Sequence, residues 1–463
     1  MAKTKELSEE DKLRQKKRRL IFFAVCTFLS AVYVVAFWFN ECYCSPQELY
    51  HRVWRSTKQN IFDIAALKDF DKLEHAYDDK IHSESDAVKY SNEMLKVLDD
   101  PFTTLVDYKG VARRSDAQAG FYSGVGMVMT AKTRPVKVRM VMEGSPAEKA
   151  GIKAGDEIIS VDNIDCMKVP VYEIGDYTRK HLGEAVHFMI ATAGKKRDVP
   201  MIPAKIPIAS TKSKMLTPEI AYERVESFIP DSLVDKIETD LKKVQGARVL
   251  ILDLRGNPGG SVDYCLQTAS LLMDTGELVT LKSRVPNDGF QATRYNLMKN
   301  GLMLITEDDK HKLHSEMQSR RDNLWDNKPI LILVDENSAS AAEMLAGALR
   351  DNKRARLVGT HTYGKGVAQI NVMLPLSTLL SLTAGRYYIP SGAWLGDGKF
   401  DVIETNGEKK IKSRHEGEKV RGLAPDVVVA PVENLEYGGK EDNQLAIAQK
   451  LAQEAISASG AGK

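Results

Sequence analysis

Three short segments of this chain hold residue types that can do chemistry together. The first, Leu252-Asp253-Leu254-Arg255-Gly256-Asn257-Pro258-Gly259-Gly260, runs from an apolar strand pattern into a glycine turn. The second, Val334-Asp335-Glu336-Asn337-Ser338-Ala339-Ser340-Ala341-Ala342-Glu343, passes from an apolar run through small residues into a helical pattern. The third is Val358-Gly359-Thr360-His361-Thr362-Tyr363-Gly364-Lys365-Gly366-Val367-Ala368-Gln369. A serine opening a helix is well placed as a nucleophile, because its oxygen is exposed at the turn and the first helical N–H groups can stabilise an oxyanion. The neighbouring alanines leave room for a substrate. Such a serine needs a base, and a lysine serves if burial keeps it neutral. Lys365 lies between two glycines, where a tight turn can aim it inward. Ser-Ala-Ser strings are common, so local chemistry alone leaves the assignment open. His361 is the competing base, but a Ser-His-Asp triad needs a buried carboxylate behind the imidazole, and no aspartate stands out. No HExxH string or other metal-ligand cluster is visible, so neither a metal nor a cofactor is expected.

The elements that must position these residues are legible in outline. The runs 249–252 and 330–334 are continuously apolar, as expected of strands buried on both faces of a layered α/β core. That core is read over 207–435, with charged insertions near 285–327, where some helix is expected, and 397–421. A C-terminal tail is read over 436–463. Residues 118–206 hold short β-branched runs between glycine turns and read as a small β-rich module. Residues 40–117 read as helical.

Before them, residues 20–39 form an uncharged apolar run of about the length that spans a bilayer, preceded by the basic cluster Arg14-Gln15-Lys16-Lys17-Arg18-Arg19. The reading is a cytoplasmic segment at 1–19 and a single-pass signal anchor at 20–39, with a cleaved signal peptide as the competing reading. The remainder would then lie outside the cytoplasm, at the cell membrane. A net charge of +2 over 463 residues argues against nucleic acid as the main partner, and five cysteines are too few for a disulfide framework.

The module contains Ser123-Gly124-Val125-Gly126-Met127 and then Gly144-Ser145-Pro146-Ala147-Glu148-Lys149-Ala150-Gly151-Ile152-Lys153-Ala154-Gly155-Asp156-Glu157-Ile158. This long ordered string resembles a PDZ domain. Gly124 and Gly126 would leave backbone N–H groups open to a peptide's terminal carboxylate, with Val125 and Met127 lining the pocket for its last side chain.

The three chemical segments resemble those of the carboxyl-terminal processing (tail-specific) serine peptidases, which carry DLRxNPGG, SASASE and GTxTFGKG strings, usually behind a PDZ domain. The likeness extends from about 45 to 430 and takes in Leu98-Asp99-Asp100-Pro101-Phe102, Thr383-Ala384-Gly385-Arg386-Tyr387-Tyr388 and Gly422-Leu423-Ala424-Pro425-Asp426. It implies a crotonase/ClpP-like catalytic core within a multidomain α/β chain, and a Ser-Lys dyad. The serine three positions before the glutamate is Ser340, not Ser338. The base is Lys365, 25 positions on (365 − 340), and Gln369 orients it. The oxyanion hole is implied from the N–H of Ala341 and of Gly259 or Gly260. Ala342 and Gly256 depart from the usual serine and asparagine. The implied enzyme is a membrane-anchored endopeptidase that recognises protein tails through its PDZ domain. Assembly with copies of itself is left open, and a catalytically silent PDZ scaffold is the competing reading.

Overall fold

The computed structural model describes residues 44–460 apart from 131–133, 193, 209, 287–288, 398–399, 406–407, 414–421, 433–434 and 436. The expected basic segment at 1–19 and apolar run at 20–39 lie outside the described residues. The fold is mixed α/β, and the expectation of an N-terminal transmembrane helix is corrected: no helix among the described residues is long and apolar enough to cross a membrane. The longest of them, Asn443–Gly460, sets Leu445, Ala448, Ala452 and Ile456 along one side and buries that side against a sheet. Its apolar surface is a stripe, whereas a spanning helix is apolar all round.

The described residues fall into two compact units. One comprises 44–59, 63–108 and 371–382, and the other 60–62, 109–370 and 383–460. In the first, α1 (Pro46–Asn60) buries Leu49, Tyr50, Val53, Trp54 and Thr57, a spacing that gathers them on one helical face. The helix α2 (Glu84–Leu95) begins where the Ser83 hydroxyl accepts from the Asp86 N–H, and it buries Ala87, Ser91, Met94 and Leu95. Three 3₁₀ turns, Ile64–Leu67, Phe70–Leu73 and Asp78–Lys80, fill the space between the two helices in sequence.

The second unit opens with a β module of strands β1 (Met127–Met129), β2 (Val136–Val141) and β3 (Glu157–Val161), a helix α3 (Val171–Lys180), then β4 (Val186–Thr192) and β5 (Lys195–Met201). The strands pair in the order β1-β2-β3-β4-β5, so β1 is an edge strand. Alternate residues Val136, Val138, Val186, Phe188 and Ile190 point into one core, as a two-residue period requires.

The larger part of this unit follows. It begins with β6 (Thr211–Thr217), β7 (Ile220–Val225), α4 (Leu233–Lys243), β8 (Val249–Asp253) and α5 (Val262–Leu272). An antiparallel meander comes next: β9 (Gly276–Val285), β10 (Gly289–Met298), β11 (Gly301–Asp308) and β12 (Leu313–Gln318). The chain continues through β13 (Ile330–Val334), α6 (Ala341–Asp351), β14 (Ala355–Gly359), β15 (Thr378–Tyr388), β16 (Val427–Val428) and α7 (Asn443–Gly460). The central sheet has the order β6-β7-β8-β13-β14-β16 and is parallel apart from β6. Leu250, Leu252, Ile330, Ile332 and Val334 share one core with α4, α5 and α6, while Ile251, Leu331 and Leu333 share another with α7. Both faces are covered, which is why these strands read as unbroken apolar runs.

Two expectations differ from this picture. The stretch 285–327 contains no described helix. Glu307-Asp308-Asp309-Lys310 forms a hairpin turn, because Asp308 Oδ1 accepts from the N–H groups of Lys310 and Lys312, and Asp309 Oδ2 accepts from that of Phe290. Aspartates that bond nearby backbone favour turns over helix. The segment read as a tail from 436 supplies α7, part of the core.

Candidate active site

Ser340 and the glycine turn lie just beyond the carboxyl ends of adjacent parallel strands, where open α/β sheets place their ligands. After β13 the chain turns sharply, and Ser340 caps α6 with φ +56° and ψ −120°. A non-glycine residue in that region is strained, and the surrounding bonds hold it there. The two serines of this turn have different surroundings. Ser338 is fully buried; its hydroxyl donates to the Leu254 carbonyl (2.8 Å) and accepts from the Asp335 N–H (2.9 Å). Ser340 is only partly buried, at the helix start.

Glu343 organises the site. Its side chain is buried, and its two oxygens accept four bonds: from the N–H of Ser340 (2.9 Å) and Lys365 (2.8 Å) on one, and from the N–H of Gly364 (2.7 Å) and the hydroxyl of Thr362 (2.5 Å) on the other. One carboxyl group therefore ties the Ser340 turn to the Lys365 loop. Burial pushes its pKa above the usual carboxylate range, against the pull of these donors. Gly364 takes φ +88°, which admits the bend before Lys365. The Lys365 carbonyl accepts from the Tyr387 hydroxyl, the Gly366 carbonyl accepts from Trp394 Nε1 (2.8 Å) and from the Tyr387 N–H (3.0 Å), and the Gly366 N–H donates to the Gly396 carbonyl (2.6 Å). The fully buried Tyr387 phenol is raised well above its ordinary pKa by burial and by the charge of Glu343. Gln369 is on the strand that follows, its amide nitrogen 3.4 Å from both the Val367 carbonyl and the Thr383 hydroxyl. His361 turns Nδ1 to the Thr362 carbonyl (3.0 Å).

The glycine turn sits directly against Ser340. A Cβ on Gly259 would come within 2.7 Å of the Ala339 carbonyl oxygen, 2.7 Å of Ser340 Cβ and 2.8 Å of the Ala341 nitrogen. The Gly259 N–H donates to Asn257 Oδ1 (2.8 Å), so Gly259 is not free to act as an oxyanion donor. Gly260 differs: its neighbours bridge to Phe228 through the Gly259 carbonyl and the Ser261 N–H, and no described residue accepts from its own N–H. Ala341 is the first residue of α6, whose N–H has no carbonyl a turn earlier to meet. The N–H groups of Gly260 and Ala341 therefore have no acceptor among the described residues in this turn, whereas that of Gly259 does.

Behind the turn, Arg255 is fully buried and forks between Asp253 (2.6 Å) and Asp442 (2.7 Å), with Gln444 at 3.0 Å. Asp335 accepts from the Gly256 N–H (2.9 Å) and from the Tyr437 hydroxyl (2.5 Å), and the Tyr437 ring stacks over the guanidiniums of Arg255 and Arg224. Asn257 closes the group by donating to the Val225 carbonyl (2.9 Å) and accepting, through its own carbonyl, from the Ala339 N–H (2.9 Å). Glu343, Tyr387, Asn257 and Asp442 act here although residue type and spacing did not single them out.

In the β module, Gly126 takes φ +83° and a Cβ there would strike Ser145. The carbonyls of Val125 and Gly126 accept from the N–H groups of Ala147 and Met142 (2.9 Å each), so both are turned into the module. Val125 and Met127 are buried in its core, and Gly124 ends the strand that precedes this loop. Beside the loop, β1 has one strand partner, β2, and its outer edge is open to another strand.

Comparison with known proteins bears on the family and the fold. The model of Peptidase family S41 matches residues 219–404, and that of the PDZ domain matches 137–191. The carboxy-terminal-processing protease of Bartonella bacilliformis is 27% identical, over 94% of this chain and 95% of that protein. The chloroplastic C-terminal processing peptidase of Tetradesmus obliquus is 28% identical, over 75% and 74%. Among solved structures, the photosystem II D1 C-terminal processing protease superposes with a TM-score of 0.51 at 25% identity, covering 83% of this chain and 93% of that one.

Proposed function

Because this chain is a serine-type peptidase of the S41 family that carries a PDZ domain, we propose that it cleaves proteins by acyl transfer to Ser340 with Lys365 as base, after binding their tails through the PDZ module. The observation that carries the dyad is the buried Glu343 carboxyl, which accepts from the N–H groups of both residues and so fixes one against the other. In the reaction, neutral Lys365 takes the Ser340 hydroxyl proton as Oγ attacks the scissile carbonyl carbon. The carbonyl oxygen becomes an oxyanion held by the N–H groups of Ala341 and Gly260. As the C–N bond breaks, the lysine returns the proton to the departing amine. A water then delivers its proton to the same lysine and attacks the ester, which frees the new carboxylate and Ser340. Gln369 is a positioning residue in this scheme. The open edge of β1, beside a loop whose carbonyls are turned inward, supports addition of a substrate tail as an extra strand.

Two substitutions and one altered substrate test this. Purified wild-type protein should degrade an unfolded protein, and Ser340→Ala and Lys365→Ala should each lower the rate at least about 10³-fold with the circular-dichroism spectrum unchanged. Turnover retained in either variant removes the dyad. Amidating the substrate's C-terminal carboxylate should raise KM, and equal KM for both forms removes tail recognition while leaving the dyad standing.

A further inference from the structure

The first unit holds a side-chain cluster unrelated to peptide hydrolysis. On α1, Gln47, Tyr50, His51 and Trp54 are spaced at intervals of three, four and seven, and so share one face. Gln47 Nε2 donates to the Ile81 carbonyl (2.5 Å), the Tyr50 hydroxyl to that of Leu73, and Trp54 Nε1 to that of Phe70 (3.1 Å). The helix is thus stitched along the segment 70–81 by side chains that reach its carbonyls. His51 breaks the pattern. Its Nε2 lies 3.1 Å from Asp78 Oδ1, while His75 Nδ1, from the stitched segment itself, lies 2.8 Å from Asp78 Oδ2. The two imidazole centroids are 4.9 Å apart, and one donor atom from each of the three residues falls within 4.8 Å of the others. Asp78 Oδ1 is buried and faces His51 Nε2 without an aligned hydrogen bond, so its charge is poorly met, and a cation shared with the two imidazoles satisfies it.

We propose that His51, His75 and Asp78 bind a divalent transition-metal ion of the zinc class. Each imidazole already faces one oxygen of the Asp78 carboxylate, at 3.1 Å from Oδ1 and 2.8 Å from Oδ2, and the 4.8 Å within which the three ligand atoms lie must shorten toward the ~3.3 Å edge of a tetrahedron with bonds of ~2.0–2.1 Å. The third edge closes by rotation of His75, whose side chain is 71% exposed. Two imidazoles and one carboxylate suit Zn²⁺, Co²⁺, Ni²⁺ or Cu²⁺ over Mg²⁺ and Ca²⁺, which prefer all-oxygen sets. Three protein ligands leave one position for water. The ion would act as a staple in the middle of the seam between α1 and the 70–81 segment, a stretch built mostly of short 3₁₀ turns. The residues are 24 and 27 positions from His51 in sequence, a spacing that no short metal motif covers.

The test uses the full chain, stripped with a chelator and titrated with ZnCl₂ in a calorimeter. Wild type should bind one equivalent saturably. His75→Ala, an exposed position whose loss should leave the circular-dichroism spectrum unchanged, should bind at least about tenfold more weakly, as should Asp78→Asn. Zinc should raise the thermal midpoint of wild type and not of His75→Ala. Absence of saturable binding by wild type means a plain histidine–aspartate contact and overturns the proposal. So does unchanged affinity in both variants, which puts the ion elsewhere.

Discussion

Replacing Glu343 is the sharpest test of how this site is held together. Its carboxyl accepts from Ser340 N–H, Lys365 N–H, Gly364 N–H and the Thr362 hydroxyl. In Glu343→Gln one oxygen becomes an NH₂. The least costly orientation puts that NH₂ beside Thr362, whose hydroxyl can rotate and accept, while the Gly364 N–H is left facing a donor. One buried N–H then loses its partner, which costs about 1–3 kcal/mol. Glu343→Ala orphans all four donors and costs on the order of 5 kcal/mol, near the upper end of single substitutions. Because both reacting residues are attached through their backbones, the loss should show as misplacement, and a shift of about 1 Å can cost about 10²-fold in rate. With a fluorogenic peptide, Glu343→Gln should lower kcat by about 10- to 100-fold and leave KM within about twofold. A kcat within twofold of wild type, or a loss confined to KM, would refute the reasoning.

Three further outcomes follow from particular contacts. Gly259→Ala puts a Cβ within 2.8 Å of Ser340 Cβ, the Ala339 oxygen and the Ala341 nitrogen at φ +90°, so kcat should fall about 10²–10³-fold in the same peptide assay. Arg255→Ala leaves Asp442 without its cation and Asp253 with only Arg224 at 3.4 Å, and chemical denaturation should register a loss of about 3–5 kcal/mol. Glu223, fully buried on β7 without a partner for either oxygen, is pushed by burial from 4.5 to about 8. Its folded pKa is the higher one, so the folded state holds a proton that the unfolded state has lost. Stability from this group is therefore complete below pH 4.5 and falls by about 1.4 kcal/mol per pH unit up to about pH 8. The difference in unfolding free energy between wild type and Glu223→Gln should follow that slope, and parallel curves would contradict it.

The sequence made the strands of the central sheet and the order of the chemical segments readable, because buried parallel strands leave unbroken apolar runs such as Ile330–Val334 and a helix-opening serine leaves a run of small residues. It could not divide the work between Gly259 and Gly260, since that depends on which N–H Asn257 occupies. It passed over Glu343 except as a landmark, for a glutamate three residues into a helix usually faces water. The meander 289–318 was hidden by its charge: acidic turn residues that bond their own backbone resemble a solvated helix until the pairing of β10, β11 and β12 is known. Asp442 and His75 were illegible for a simpler reason, as their partners Arg255 and His51 lie 187 and 24 positions away.

The first of those separations bears on how the protein is made. Arg255 flanks the glycine turn and is buried with its charge shared between Asp253 and Asp442, the latter just ahead of α7. While the chain emerges from the ribosome, Ser340, Lys365 and both glycines are exposed to the cell long before that aspartate arrives. Until it does, the guanidinium has one carboxylate instead of two and burying it is unfavourable. Completion of the turn thus waits until residue 442 has been made, and a polypeptide shortened ahead of Asp442 would carry Ser340, Lys365 and both glycines yet lack the second carboxylate that holds Arg255 in place.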